Sequence, residues 1–213
     1  MPVIERVVLK WSRVIKPPGK LSHCHMSNIS TSGDVAVAIT YKMGANEYGE
    51  LSLFNSDGKI AWSKHYDNEI FKPQLSDDGN TIAVKLGINT LTAYDKRGEL
   101  LWTYSIEGAR VIRGYKLSRD GRYAVIGVLD LVRKKGPFIL LREGAVEWTK
   151  SSRGVAMEIA ISPNNEYIAT TFYDGDRNIT NTALYTINGV ELWNTVVEGK
   201  LLHVDVSDNG EVL

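Results

Sequence analysis

The residues best suited to chemistry in this chain lie two or four positions before a serine that recurs five times: Ser30, Ser76, Ser118, Ser162 and Ser207. Counting back from these serines gives Met26 and Asn28, Lys72 and Gln74, Gly114 and Lys116, Glu158 and Ala160, His203 and Asp205, with mostly apolar residues between them. On extended strands such alternation turns one set of side chains to a common face. Lys72, Gln74, Lys116, Glu158, His203 and Asp205 then line one polar surface that suits a small anionic ligand, or else a hydrated lining.

Other clusters are less complete. His23 and His25 fall on one strand face with Cys24 on the other, but two imidazoles do not make a zinc set, and His65 and His203 lie far along the chain. Asp174, Asp176 and Asn178 imitate the opening of a calcium loop, yet Ile179 and Tyr185 stand where a glycine and a bidentate glutamate are needed. No metal is expected there. Arg133, Lys134 and Lys135 make a short cationic tip suited to an acidic partner or to solvent. Phosphate loops, nucleophile elbows and zinc-protease helices are absent, and no cofactor is expected.

The elements that position these residues follow from repetition. Trp11, Trp62, Trp102, Trp148 and Trp193 are spaced by 51, 40, 46 and 45 residues, and the last four follow Gly58, Gly98, Gly144 and Gly189 by four positions. In step with them, each serine is followed three residues later by Gly33, Gly79, Gly121, Asn165 or Gly210. Two interlocked series at one period indicate a solenoid or propeller. Within a repeat the apolar pattern has period two. Leu75, then Thr81 to Leu86, then Thr90 to Tyr94, then Glu99 to Trp102 read as short strands A to D joined by Asp- and Gly-containing turns, with almost no helix.

Four antiparallel strands repeated around an axis make an all-β propeller. The repeats run over residues 20–66, 67–107, 108–153 and 154–198, with a composite fifth from 199–213 and 3–15, in one domain. The N-terminal run Val7-Val8-Leu9-Lys10-Trp11 is expected to act as strand D of that fifth blade, pairing with the strand of Val204 and Val206. About 20 residues of strands B and C remain to be supplied, by further chain, a second copy or a partner strand. A tryptophan in each seam buries about 150–250 Å², worth roughly 4–6 kcal/mol before entropy is subtracted.

The runs from Phe54 to Trp62, Tyr94 to Trp102 and Tyr185 to Trp193 resemble the tryptophan-docking repeat of quinoprotein-like (PQQ-like) propellers, and the Ser-x-x-Gly turns resemble those of WD40-like repeats. The resemblance implies the fold; such propellers serve as dehydrogenases, scaffolds and peptide binders alike. The enzymatic members have longer repeats, a vicinal cysteine pair and an acidic calcium site, usually on eight blades. This chain has one cysteine.

The 25 basic and 25 acidic residues cancel, so no overall field favours nucleic acid or membranes. No apolar run reaches the roughly 18 residues of a span. The lone Cys24 fits a reducing, cytoplasmic setting; the sequons at Asn28 and Asn178 matter only if the chain is exported. With A–B and C–D turns on one rim, the irregular segments Met43–Glu50, Val132–Pro137 and Asp174–Asn181 fall on the other. Asn46, Tyr48, Arg133, Lys134, Lys135, Asp174 and Asp176 there are candidates for contact with a protein or peptide. A non-catalytic scaffold using that rim is the first expectation. A quinoprotein-like or lyase-type enzyme, or an anion binder, using the channel is the alternative.

Overall fold

The computed structural model describes residues 10–151, 154–201 and 203–213. They form a β-propeller of four complete blades and the start of a fifth, and no helix occurs among them. Blade 1 comprises β1 (Lys20–Ile29), β2 (Val35–Met43), β3 (Asn46–Phe54) and β4 (Ile60–Tyr66). Blade 2 comprises β5 (Ile70–Leu75), β6 (Thr81–Leu86), β7 (Thr90–Asp95) and β8 (Leu100–Ser105). Blade 3 comprises β9 (Arg110–Leu117), β10 (Tyr123–Asp130), β11 (Phe138–Arg142) and β12 (Ala145–Lys150), and blade 4 β13 (Val155–Ile161), β14 (Tyr167–Asp174), β15 (Ile179–Thr186) and β16 (Glu191–Glu198). Each sheet is an antiparallel meander in chain order. In the fifth, Val206 bridges Val212.

The recurrent serines are the ends of the innermost strands. Ser76 is fully buried; its hydroxyl donates to Asp78 at 2.6 Å and accepts the Thr81 N–H at 2.9 Å, and Ser118 does the same with Asp120 and Tyr123. Serine suits this place because one small hydroxyl both donates and accepts, closing a turn that then needs a left-handed residue. In blade 4 that residue is Asn165, at φ 62°.

Successive blades bury their facing sheets against one another. Leu51, Leu53, Ile70, Ile82 and Val84 fill the seam between blades 1 and 2, with Trp62 against them; Leu91, Ile112, Ile126 and Leu141 fill the next, with Trp102; Phe138, Leu140, Ile168 and Phe172 the third, with Trp148. The glycines four residues before the tryptophans are the receiving slots. Trp62 lies on Gly98, Trp102 on Gly144 and Trp148 on Gly189, each in the following blade, and the indoles of Trp62 and Trp148 donate to the Lys96 and Ile187 carbonyls at 3.0 and 2.8 Å. A Cβ on Gly144 would stand 2.6 Å from Trp102 Cβ, so these glycines are set by close approach as well as by turn geometry.

Trp11 occupies the equivalent slot on blade 1, against Gly58 and stacked on Phe54 with centroids 5.9 Å apart. That is the place of a tryptophan from a blade preceding blade 1. Of the expected N-terminal strand, Val7 to Leu9 lie outside the described residues, and Lys10 and Trp11 make no ladder. Val204 and Val206 pack instead on Ala160, Ala169 and Leu184 of blade 4.

Two expected loops are corrected. The segment Met43–Glu50 is not an irregular loop: Met43 pairs with Asn46 across a two-residue turn and the ladder continues through Tyr41–Tyr48 and Thr40–Gly49. Asn46 and Tyr48 are therefore strand residues. Gly49, which suggested a loop, is glycine because a Cβ there would lie 2.6 Å from Ile70 and 2.7 Å from the Asn68 carbonyl. Likewise Ile179 to Asn181 begin β15, leaving 175–178 as the connection.

Candidate functional site

The inner strands β1, β5, β9 and β13 and the Val204–Val206 segment surround a funnel. It holds a cavity of about 670 Å³, lined among others by His25, Lys72, Lys116, Arg119 and Asp205, and a second of about 250 Å³, lined by Lys72, Arg113, Lys116, Glu158, His203 and Asp205. All six candidates counted back from the serines, Lys72, Gln74, Lys116, Glu158, His203 and Asp205, thus border the second cavity, and Lys72, Gln74, Lys116 and Asp205 also border the first.

Their roles differ. The Gln74 amide donates to the Tyr115 carbonyl at 2.8 Å and accepts the Leu117 N–H at 2.7 Å. Asn28, one blade earlier, holds both backbone groups of Leu75 at 2.8 and 3.0 Å. These two amides are struts that tie adjacent inner strands, so neither is free to read a ligand. Asp205 accepts its neighbour's N–H, from Val206, at 2.9 Å. Lys72, Lys116 and Glu158 have no salt-bridge partner within 4.0 Å among the described residues.

Strict alternation places Lys116 but not Lys72 or Glu158. Each complete inner strand is bulged: the ladder skips Ser27 and Asn28 in β1, Lys72 and Pro73 in β5, Arg113 in β9, and Met157 and Glu158 in β13. A bulge re-aims the extra side chain, and here the bulged positions carry Lys72, Arg113 and Glu158 into the funnel. Lys72 takes φ 46°, a left-handed conformation that lysine rarely adopts. Tyr115, buried beneath it, donates toward the carbonyls of Lys72 and, at 2.9 Å, of Ala83, which pins the bulge.

Sequence reasoning missed Lys85 and Arg113, and weighed His25 only as a metal ligand. Lys85, half-buried, projects its ammonium 4.5 Å from the centroid of the Phe71 ring and 3.4 Å from the Ile112 carbonyl. The signal was available: Lys85 is the one charge in the apolar strand Thr81 to Leu86. Burial first, then Lys72, lowers its pKa. His23 and His25 stack with their planes 5° apart, both 6.0 Å from the Phe71 ring. The His25 imidazole is pushed below its ordinary value by burial, then by His23, Lys72 and Lys85. Cys24 points to the opposite face, toward Trp11 and Phe54. Among the described residues, no three of His, Cys, Asp and Glu converge as a metal set.

A family model described as outer membrane protein assembly factor BamB matches residues 10–132. The chain belongs to that family. The match covers blades 1 and 2 and much of blade 3, where the docking repeats, the struts and the bulged Lys72 and Arg113 reside. No curated protein matches the sequence. Among solved structures, the Kuenenia stuttgartiensis hydrazine synthase is similar, with a TM-score of 0.65 over 96% of this chain and 14% identity. At that identity the likeness shows the fold alone. The chain spans 57% of that structure's chain.

On this PQQ-like propeller the other candidate residues lie along the rim of the B-to-C hairpins. Tyr48 stacks on Tyr41 with centroids 5.9 Å apart, and Asn46 reaches its hydroxyl at 3.5 Å. Beside them, hydrogen bonding to Glu47 first, then burial, lifts the Glu69 carboxyl above the usual range. Arg133, Lys134 and Lys135 form an exposed tip folded around Asp130, whose carboxylate accepts the Val132 and Arg133 N–H groups at 2.9 Å each. Asp174 spends its carboxylate on the N–H groups of Asp176 and Arg177 and on the Arg177 guanidinium at 3.8 Å. That is a self-capped hairpin, and Asp176 is exposed beside it. The structure does not bring the rim residues of blades 1, 3 and 4 into one pocket; each stands on its own hairpin.

Alongside them the rim exposes apolar side chains at three successive tips. Met43 on blade 1, Ile88 on blade 2 and Leu131 and Val132 on blade 3 are 47%, 57%, 44% and 78% exposed. Turn chemistry favours Asn, Asp and Gly at such positions, so local folding does not explain these residues.

Proposed function

We propose that this chain is a non-catalytic propeller scaffold that holds a protein or peptide partner on the rim of its B-to-C hairpins. The observation that carries the reading is the row of Met43, Ile88, Leu131 and Val132, exposed at neighbouring tips and flanked by Arg133, Lys134 and Lys135. Apolar anchors with a cationic border suit a partner segment that is partly apolar and acidic. The description of the matching family names an assembly factor, a role for a binder rather than a catalyst.

Photo-crosslinking in the native cell tests this. A photoreactive residue at Ile88 or Val132 is expected to give the same discrete protein adduct, and one at Asp57 or Arg97 on the opposite rim none. The adduct at Ile88 should disappear in Val132→Asp while the far-ultraviolet spectrum and unfolding midpoint stay unchanged. Equal adducts from both rims, or none from the hairpin tips, would overturn the proposal.

A further inference from the structure

The funnel corner between blades 1, 2 and 3 concentrates positive charge that the protein does not neutralise. Lys72 is held there in a left-handed backbone conformation, φ 46°, and such strain marks positions that the surrounding structure fixes. Lys85 is half-buried with only a carbonyl and a ring face as partners. Arg113 sits on its own bulge in the wall of the smaller cavity, beside Lys116. His25 Nε2 is sealed from solvent with no hydrogen-bond partner.

The acidic groups around this corner are few or engaged. Asp77 faces Arg119 at 3.7 Å. Glu69 lies near enough to Lys85 to oppose the lowering of its pKa, but its carboxyl hydrogen-bonds to Glu47 and it makes no ion pair with Lys85 within 4.0 Å among the described residues. Glu158 and Asp205, on β13 and the fifth-blade strand, border the same smaller cavity with His203, but neither makes an ion pair within 4.0 Å among the described residues. His23, stacked on His25, adds a further site for positive charge.

The geometry points to a binding site for a small free oxyanion of two or more charges, a phosphate or a polycarboxylate, at the corner formed by His25, Lys72, Lys85 and Arg113. Arginine and lysine would meet the anion as donors, and the His25 ring, whose nearest charges are His23, Lys72 and Lys85, would sense the anion's charge without touching it. The ligand would leave the carboxylate wall of Glu158 and Asp205 facing water. The site is separate from the hairpin rim and independent of the partner proposed there.

The test is a histidine titration by NMR on the whole chain, which has four histidines, with His25 assigned by loss of its signal in His25→Gln. Inorganic pyrophosphate and citrate are the probes, with sodium chloride at matched ionic strength as the reference. Saturable movement of the His25 signal is expected with at least one probe, together with a rise of its pKa by roughly one unit, because the anion offsets neighbouring cations. The tighter probe distinguishes a phosphate from a carboxylate ligand. Lys72→Gln and Arg113→Gln, both at exposed side chains, are each expected to weaken that binding about tenfold or more at unchanged unfolding midpoint. A response no different from chloride, or saturable binding indifferent to both variants, would overturn the inference.

Discussion

Replacing Gly144 by alanine tests whether the tryptophan slots, rather than the turns alone, hold the blades together. Gly144 ends a two-residue C–D turn in which Glu143 has φ 50° and Gly144 φ 83°, both left-handed as a tight hairpin requires. An alanine in that conformation costs about 1–2 kcal/mol. Its Cβ would also fall 2.6 Å from Trp102 Cβ and 2.8 Å from Cγ, contacts that the indole must retreat from, for roughly another 1–3 kcal/mol of overpacking. Gly108 supplies the control. It has φ 76°, but nothing lies within 4 Å of where its Cβ would stand, so Gly108→Ala carries the conformational cost alone. Urea unfolding followed by tryptophan fluorescence and far-ultraviolet dichroism should place Gly144→Ala about 1–3 kcal/mol below Gly108→Ala. Its native-state emission should also move to the red as Trp102 leaves the seam. Equal losses in the two variants, with unchanged emission, would refute the claim that indole docking limits substitution at these glycines.

Two further outcomes follow from the contacts between blades. Gln74→Leu removes the strut to blade 3 and leaves the Tyr115 carbonyl and Leu117 N–H without a protein partner, so chemical denaturation should show a loss of about 1–3 kcal/mol. Asp34 is buried against Lys96 at 2.7 Å; burial alone would raise its carboxyl, but the Lys96 ammonium and the Ser32 and Ser30 hydroxyls hold it below the usual 3.8. A folded-state pKa below the unfolded one stabilises the fold above the unfolded value, and that contribution is lost as pH falls through the folded one. Lys96→Met should therefore cost about 1–2 kcal/mol at pH 7, allowing for the half-exposed lysine, and much less near pH 3. The same difference between wild type and variant at both pH values would show that the ion pair is not the cause.

What could be read from the sequence was what repeats. Seam tryptophans, receiving glycines and strand-ending serines each recur because every blade solves the same packing problem, so five noisy copies reinforce one pattern. Asn165 was legible as a glycine substitute on that ground alone. The failures share a different cause. Gly49 looked like a turn residue, whereas it serves the approach of Ile70 and the Asn68 carbonyl from the next blade, and nothing local distinguishes the two uses. Arg113 lies at an odd count from Ser118, where strict alternation turns a side chain away from the funnel; its bulge turns it back. Bulges depend on how one sheet twists against another, and that information is not contained in any single strand. The apolar hairpin tips went unnoticed because Ile88 and Val132 are unremarkable until the hairpins are seen to stand side by side.

The inner strands show how one position is divided between folding and binding. Two residues before the serine stand Asn28, Gln74, Lys116, Ala160 and Asp205 in successive blades. Where the residue is an amide it ties its strand to the next one, because an amide can donate and accept at once along an antiparallel seam. Lysine cannot accept and alanine can do neither, so the tie is absent at Lys116 and Ala160. Packing of Val125, Phe138 and Ile168 holds the later blades without it. The struts therefore stiffen the side of the funnel that carries Lys72, Lys85 and Arg113, and leave the opposite wall, with Glu158 and Asp205, held by the apolar seams. A rigid cationic wall is what an anion site needs, since donors already in place lose little freedom when the ligand arrives. If stiffness is the purpose of the amides, Gln74→Leu should weaken pyrophosphate or citrate binding although the Gln74 amide is spent on the Tyr115 carbonyl and the Leu117 N–H. Unchanged affinity in that variant would mean that Tyr115 alone secures the bulge at Lys72.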